Sequence, residues 1–216
     1  MLNDQRVLIA RRVINPTGRA PVTTLPDRPN TALVVIDMQH GVISEAFEVE
    51  RVVANINALV VKARSEDVPV IWVQHSDEDM PYGSDGWEQI PDLPWVDGED
   101  VVQKHHGDSF EDTNLESILA DRLVGRLVVT GAQTDACVRS TLHGALVRGY
   151  DTTLVEDAHT TEDLRPWGSP ISPGQSIAYA NMYWGFSGAP GRVAGTAATA
   201  DIEFGPADAE PGSAES

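Results

Sequence analysis

The chain predicts a doubly wound α/β domain with a mainly parallel sheet, and three observations carry that prediction. Ala32-Leu33-Val34-Val35-Ile36, Val68 to Val73 and Leu127-Val128-Val129 are largely continuous apolar runs, as strands covered on both faces are. Between the first two runs, Val52, Val53, Ile56, Leu59 and Val60 recur at helical spacing, which gives a strand–helix–strand unit. Polar residues gather where the apolar runs end, at Asp37, His75 and the Gly131 turn, and open α/β sheets place their sites at those carboxyl ends.

Taken in order, residues 1–30 carry Pro16, Pro21, Pro26 and Pro29 among scattered charge and short apolar runs, the pattern of an arm around the core. The domain proper spans 31–204. Its first strand ends at Asp37, its first helix runs from about Val49 to Ser65, and its second strand from Val68 to Val73. A long loop through Pro81, Gly83, Gly86, Pro91, Pro94 and Gly98 leads to a short strand near Val101-Val102 and a helix near Leu115 to Leu123. The strand Leu127 to Val129 turns at Gly131 into a helix through Ala136, Val138, Leu142, Ala145 and Leu146, capped by Thr134 or Asp135. Thr152 to Val155 supplies a fifth strand. Ile177 to Trp184 reads as an aromatic helix or loop at the core edge or at a subunit contact. Residues 205–216 are small, acidic and proline-containing, and are expected to be disordered.

With 216 residues the chain builds one sizeable core and is short for two, so a single domain is expected. Fifteen Lys and Arg against 33 Asp and Glu give a net charge of −18, which argues against nucleic acid and anionic membrane surfaces as partners while mildly attracting cations. One cysteine forms no internal disulfide, and the run Val7 to Ala10 is too short for a membrane span or a signal-peptide core; the expectation is a cytoplasmic protein.

That cysteine, Cys137, falls in the first turn of the helix after Gly131. Unpaired backbone N–H groups and the positive end of the helix dipole favour a thiolate there, although a small buried core residue fits the same position. Lys104 follows the third strand, so its stem can be packed while its ammonium approaches the strand ends beside Cys137 and Asp37. An Asp, a Lys and a Cys together would let the lysine stabilise the thiolate while the aspartate moves the proton. Singly, Lys104 reads as a surface charge and Asp37 as a helix cap, and no spacing rule joins residues so far apart.

Four ordered motifs join them. Val34-Val35-Ile36-Asp37-Met38-Gln39, Tyr82 through Leu93, Val102-Gln103-Lys104 with Ser109-Phe110, and Gly131-Ala132-Gln133-Thr134-Asp135-Ala136-Cys137-Val138 resemble the isochorismatase-like cysteine hydrolase family over about residues 31–163. The resemblance implies a Rossmann-like fold and a catalytic triad of Asp37, Lys104 and Cys137. It also implies a non-proline cis peptide between Ala132 and Gln133, with the backbone N–H groups of Gln133 and Cys137 facing a developing oxyanion. The substrate-pocket candidates are Trp87, Phe110 and Gln39. Trp87 and Phe110 offer an apolar wall that excludes water, with core packing as the competing role. Relatives with nicotinamidase activity bind a metal through an Asp and several His beyond the second strand. Here His75 and Asp77 have no second histidine nearby, so no metal site is expected. His105 and His106 read as surface residues and His159 as a capping or structural residue.

The resulting expectation is a hydrolase that cleaves a C–N bond of a small amide or cyclic amide through a covalent acyl-enzyme, with no cofactor and with a homo-oligomeric assembly, dimer or tetramer, implied by the resemblance. Two alternatives stand beside it. An isochorismatase-type vinyl-ether hydrolase would keep activity without Cys137, and a non-catalytic small-molecule binder or thiol sensor would not need Lys104.

Overall fold

The apolar strands are covered on both faces, and the chain buries them between two layers of helices. The structure, a computed structural model, describes residues 23–93 and 95–205. The elements are β1 (Asn30–Ile36), α1 (His40–Ile43), α2 (Val49–Ser65), β2 (Val70–His75), β3 (Asp100–Lys104), α3 (Leu115–Asp121), β4 (Val124–Ala132), α4 (Arg139–Arg148), β5 (Asp151–Thr160), α5 (Pro173–Gly185), β6 (Gly188–Ala189) and β7 (Arg192–Ala197). One sheet carries all seven strands in the order β3-β2-β1-β4-β5-β7-β6, and every pairing is parallel except β6 with β7. The order reverses direction at β1, whose neighbours are β2 and β4, so the crevice at the carboxyl ends of these strands is the expected place for a site.

The period-two alternation of β1 divides the core. Ala32, Val34 and Ile36 face a cluster with Leu115 and Leu119 of α3, Leu142 and Leu146 of α4 and Trp184 of α5. Leu33 and Val35 face the other side, where Val52, Ile56, Leu59 and Val60 of α2 close over them with Ile202 and Phe204. Each such buried aliphatic side chain contributes about 1.5–3 kcal/mol relative to exposure.

The sequence reading needs correcting at four places. Lys104 is the last residue of β3, paired with His75 in the ladder, rather than the residue after it. The fifth strand runs on to Thr160, because the register shifts opposite Val129 to Gly131 and pairing resumes with His159 and Thr160. Two strands went unread: β6 is two residues long, and β7 consists of small, partly exposed residues without an apolar run. The aromatic stretch is a helix that starts earlier, at Pro173, where Ser172 and Gln175 form a reciprocal capping box. The described end of the predicted arm lies on the core, with Thr23 Oγ1 donating to the Gly149 carbonyl at 2.6 Å and Arg28 paired with Glu116 at 2.9 Å. Residues 1–22 and the predicted tail from 206 onward lie outside the described residues. Among the described residues no helix is long and apolar enough to cross a membrane.

Candidate active site

Gly131 makes the site possible. Its φ is +112°, and a Cβ there would stand 2.1 Å from the Ile36 carbonyl oxygen, so only glycine lets β4 press this closely against the end of β1. The peptide bond from Ala132 to Gln133 that follows is cis. A five-residue π turn, Thr134–Val138, then leads into α4, and Cys137 lies in that turn, two residues before α4 begins, rather than in the helix's first turn as the sequence suggested. Neither Thr134 nor Asp135 caps this helix. Thr134 Oγ1 instead bonds His159 Nδ1 at 2.8 Å, and Asp135 accepts from Thr161 at 2.7 Å and Ser176 at 3.1 Å. These bonds tie the turn to β5 and α5.

Asp37, one residue beyond β1, has a left-handed backbone (φ 50°), and its N–H donates to the Val73 carbonyl at 2.9 Å. The Lys104 side chain comes in from β3. Both are shut off from solvent, at 1% and 0% exposure, and Lys104 Nζ lies 2.7 Å from Asp37 Oδ2. The same ammonium donates to Cys137 Sγ at 3.2 Å and to His75 Nδ1 at 3.3 Å. Its three N–H bonds therefore each have a partner. Since an ammonium only donates, His75 Nδ1 is the acceptor and Nε2–H donates to Asp77 Oδ2 at 3.0 Å. Asp77 is itself held by the backbone N–H groups of Asp79 and Met80 at 3.0 and 2.7 Å. Asp37 Oδ1 is buried and accepts no hydrogen bond from the described residues.

The charges explain one another. Burial lowers the proton affinity of Lys104, but the acidic partners Asp37 and Cys137 outweigh it and hold the ammonium above the ordinary lysine range. Burial lifts Asp37 above the usual carboxylate range even against Lys104. Burial and then the Asp37 carboxylate push the Cys137 thiol up to about 12, with Lys104 pulling the other way. This reverses the sequence expectation of a thiolate at rest. One buried ammonium serves two acids, and the carboxylate 2.7 Å away takes the negative charge.

A cleft of about 610 Å³ opens onto Asp37, His75 and Cys137, with Val42, Met80 and Gln133 on its walls. A larger hollow of about 750 Å³ between α1, the start of α2 and Ile90 to Asp92 holds none of these groups. The three pocket candidates from the sequence do not line the cleft. Gln39 is fully buried, and its amide clamps backbone: Nε2 donates to the His75 and Trp87 carbonyls at 2.9 and 2.7 Å, while Oε1 accepts from His75 N–H at 2.8 Å. Trp87 stands behind the wall against Tyr82, with its indole donating to Gln103 at 3.3 Å. Phe110 packs into the core beside Tyr150 and under Arg148 because the loop after β3 folds inward through Ser109, which bonds Thr141. Gln133 and His75 take the wall positions instead. The signal for His75 was its place at the end of β2, one sheet neighbour from Lys104.

His105 joins Ser76 through its Nδ1, and His159 is a buried structural residue. Asn181 Nδ2 donates to the Glu156 carbonyl, which turns Asn181 Oδ1 toward His159 Nε2–H at 2.9 Å and leaves Nδ1 to accept from Thr134. Among the described residues no three His, Cys, Asp or Glu gather as a set that could hold a metal ion.

The isochorismatase domain model matches residues 31–169. The chain belongs to the isochorismatase family. Streptothricin hydrolase from Streptomyces noursei is 37% identical over 158 residues, which is 69% of this chain and 60% of that protein. The chain thus spans less than two thirds of that relative's length. Ureidoacrylate amidohydrolase RutB from Enterobacter sp. (strain 638) is 27% identical, over 63% of this chain and 81% of that one. Among solved structures, an isochorismatase from Pseudomonas putida KT2440 superposes with a TM-score of 0.72 at 26% identity, covering 82% of this chain and 92% of the other.

Proposed function

We propose that this protein is a cysteine hydrolase that cleaves the C–N bond of a small amide or cyclic amide. The observation that carries the reading is the Lys104 ammonium held between Asp37 and Cys137 at the base of a cleft, 2.7 Å from one and 3.2 Å from the other. Relatives whose names denote amidohydrolysis support the reaction class. Cys137 is the nucleophile, Asp37 the general base and acid, and Lys104 the electrostatic support. As Sγ attacks the carbonyl carbon, the thiol proton passes to Asp37, whose raised affinity for protons suits it as acceptor. The carbonyl oxygen takes the negative charge at the start of the Thr134–Val138 turn, where the N–H groups of Gln133 and Cys137 are the assigned donors. The C–N bond then breaks as the amine takes the proton from Asp37, and a thioester remains. Water adds to it with Asp37 as base, the carboxylic acid leaves, and Sγ regains its proton.

A thiol pushed up to about 12 is a poor target for peroxide, which favours the hydrolase over a thiol sensor on the same frame. The test is release of ammonia or amine from an amide panel by the wild type, Cys137→Ala and Asp37→Asn, with intact-mass detection of the acyl-enzyme. Loss of turnover in both variants and an adduct on Cys137 are expected. Amide turnover retained in Cys137→Ala would remove the cysteine nucleophile, and the vinyl-ether reading would replace amide chemistry only if no amide is turned over while a vinyl ether is hydrolysed by wild type and Cys137→Ala alike. A cytoplasmic site of action and a homo-oligomer belong to the same proposal. Exposed Tyr179, Met182, Tyr183 and Phe186 on and just after α5 support the oligomer, which light scattering tests.

A further inference from the structure

Gly41 is in the cleft wall for the space it leaves. It lies in α1, where glycine weakens a helix relative to alanine, and it is not one of the glycines with a positive φ. What its missing side chain makes room for is Met80. A Cβ on Gly41 would stand 2.8 Å from Met80 Sδ and 3.1 Å from the Gly86 carbonyl oxygen. A Cβ on Gly86 would already touch Met80 Cγ at 3.5 Å. The methionine side chain therefore lies in a slot between two glycines, which are joined by the Gly41 N–H donating to the Gly86 carbonyl at 2.8 Å. All three residues line the cleft that holds Cys137. The backbone of Met80 is fixed as well: its N–H donates to Asp77 Oδ1 at 2.7 Å, and its carbonyl accepts from the Asp77 N–H at 3.1 Å. The other Asp77 oxygen accepts from His75, whose Nδ1 accepts from Lys104. A chain of two side chains, His75 and Asp77, thus ties Met80 to the ammonium that serves Asp37 and Cys137.

Resting on the catalytic reading above, we propose that Met80 is the specificity-determining residue of the site, the wall against which an uncharged, apolar part of the amide lies while the carbonyl sits over Cys137. Val42 and Ala136 continue the apolar lining, and neither lysine nor arginine lines the cleft to receive an anionic group. A thioether on an unbranched stem adapts to the group it meets, and the slot sets how far it withdraws from the cleft. Filling the slot from Gly41 drives the sulfur toward the opening and narrows it. Removing the Met80 side chain widens it.

The test uses the thiol itself, which is the chain's one cysteine. Cys137 is alkylated with iodoacetamide and with N-benzyl iodoacetamide, and both rates are read by intact mass. The small reagent reports the reactivity of the thiol, and the bulky-to-small ratio, normalised to glutathione, reports the width of the cleft. Met80→Ala is expected to raise the ratio about 5-fold. Gly41→Ala, whose backbone suits alanine, is expected to lower it about 3-fold. In Gly41→Ala/Met80→Ala the new Cβ has no sulfur to displace, so the ratio returns to that of Met80→Ala and the two effects do not add. A ratio unchanged in either single variant would overturn the proposal, and so would a Gly41→Ala effect that persists without Met80. A thiol that iodoacetamide leaves unmodified in both the wild type and Asp37→Asn would overturn the catalytic reading, and this inference with it.

Discussion

Removing Asp37, the proposed base, is expected to make Cys137 more reactive toward an alkylating agent, and the size of the effect follows from who holds the negative charge. In the wild type the thiol is pushed up from 9.0 to about 12, by burial first and by the Asp37 carboxylate second. At pH 8 such a thiol is ionised in about one molecule in 10⁴, against about a quarter for a free thiol of pKa ~8.5. Asp37→Asn keeps the shape and deletes the competing charge. The Lys104 ammonium, 3.2 Å from Sγ, is then left without its carboxylate. For unit charges at that separation the attraction is about 5 kcal/mol at an effective dielectric constant of about 20. Burial opposes ionisation and consumes part of it, so a fall of two pH units or more is expected, or about a 100-fold faster alkylation by iodoacetamide at pH 8. Amide turnover moves the other way and drops by about 10²–10⁴. The assay is the pH dependence of alkylation, read by mass spectrometry in the wild type, Asp37→Asn and Lys104→Met. An Asp37→Asn thiol that reacts no faster than the wild type, in protein with unchanged circular dichroism, would refute the shared-counterion account.

Three further outcomes follow. Gly131→Ala forces a Cβ to within 2.1 Å of the Ile36 carbonyl at a φ of +112°, and is expected to cost about 3 kcal/mol or more, read as a lowered urea midpoint. His75→Leu leaves one Lys104 N–H without an acceptor; kcat is expected to fall about 10-fold with KM little changed, and His75→Asn, which keeps an acceptor oxygen, to recover part of it. Burial holds His159 below its ordinary 6.5, so the unfolded chain binds its proton first. The stability this neutral imidazole confers is therefore present above pH 6.5 and lost as pH falls below it. The slope is at most about 1.4 kcal/mol per pH unit, and the thermal midpoint of His159→Gln should change less between pH 7 and 5 than that of the wild type.

What the sequence disclosed depended on how each strand is buried. β1, β2 and β4 read as strands because both faces are covered and Leu33, Ile71 and Val129 all contribute apolar side chains without interruption. β7 was silent because Arg192 to Ala197 lies next to the edge with small side chains. α5 did announce its start, through Ser172-Pro173-Gly174-Gln175, a capping box with proline in the first helical turn, and that signal was readable. Phe110 and Trp87 were misassigned because a loop's sequence does not say which of its side chains turn inward. The π turn before α4 left no mark in composition at all.

The residues of the triad were legible, but their charge state was not, and the distinction decides how the site works. A cysteine in a helix's first turn is expected to be acidic; here Cys137 lies in the π turn before α4 and shares the ammonium of Lys104 with a buried carboxylate that arrives from the end of β1, a hundred residues earlier. In the proposed mechanism the thiolate forms only as Asp37 takes the proton. On that proposal deprotonation and attack are one event, triggered when a carbonyl arrives, and the same Asp37 then holds the proton that the departing amine requires. A permanently ionised cysteine would gain reactivity toward adventitious electrophiles while leaving its carboxylate without a proton to give. Burial raises both acids, Asp37 and Cys137, around a single lysine, and the proposed cycle passes one proton between them.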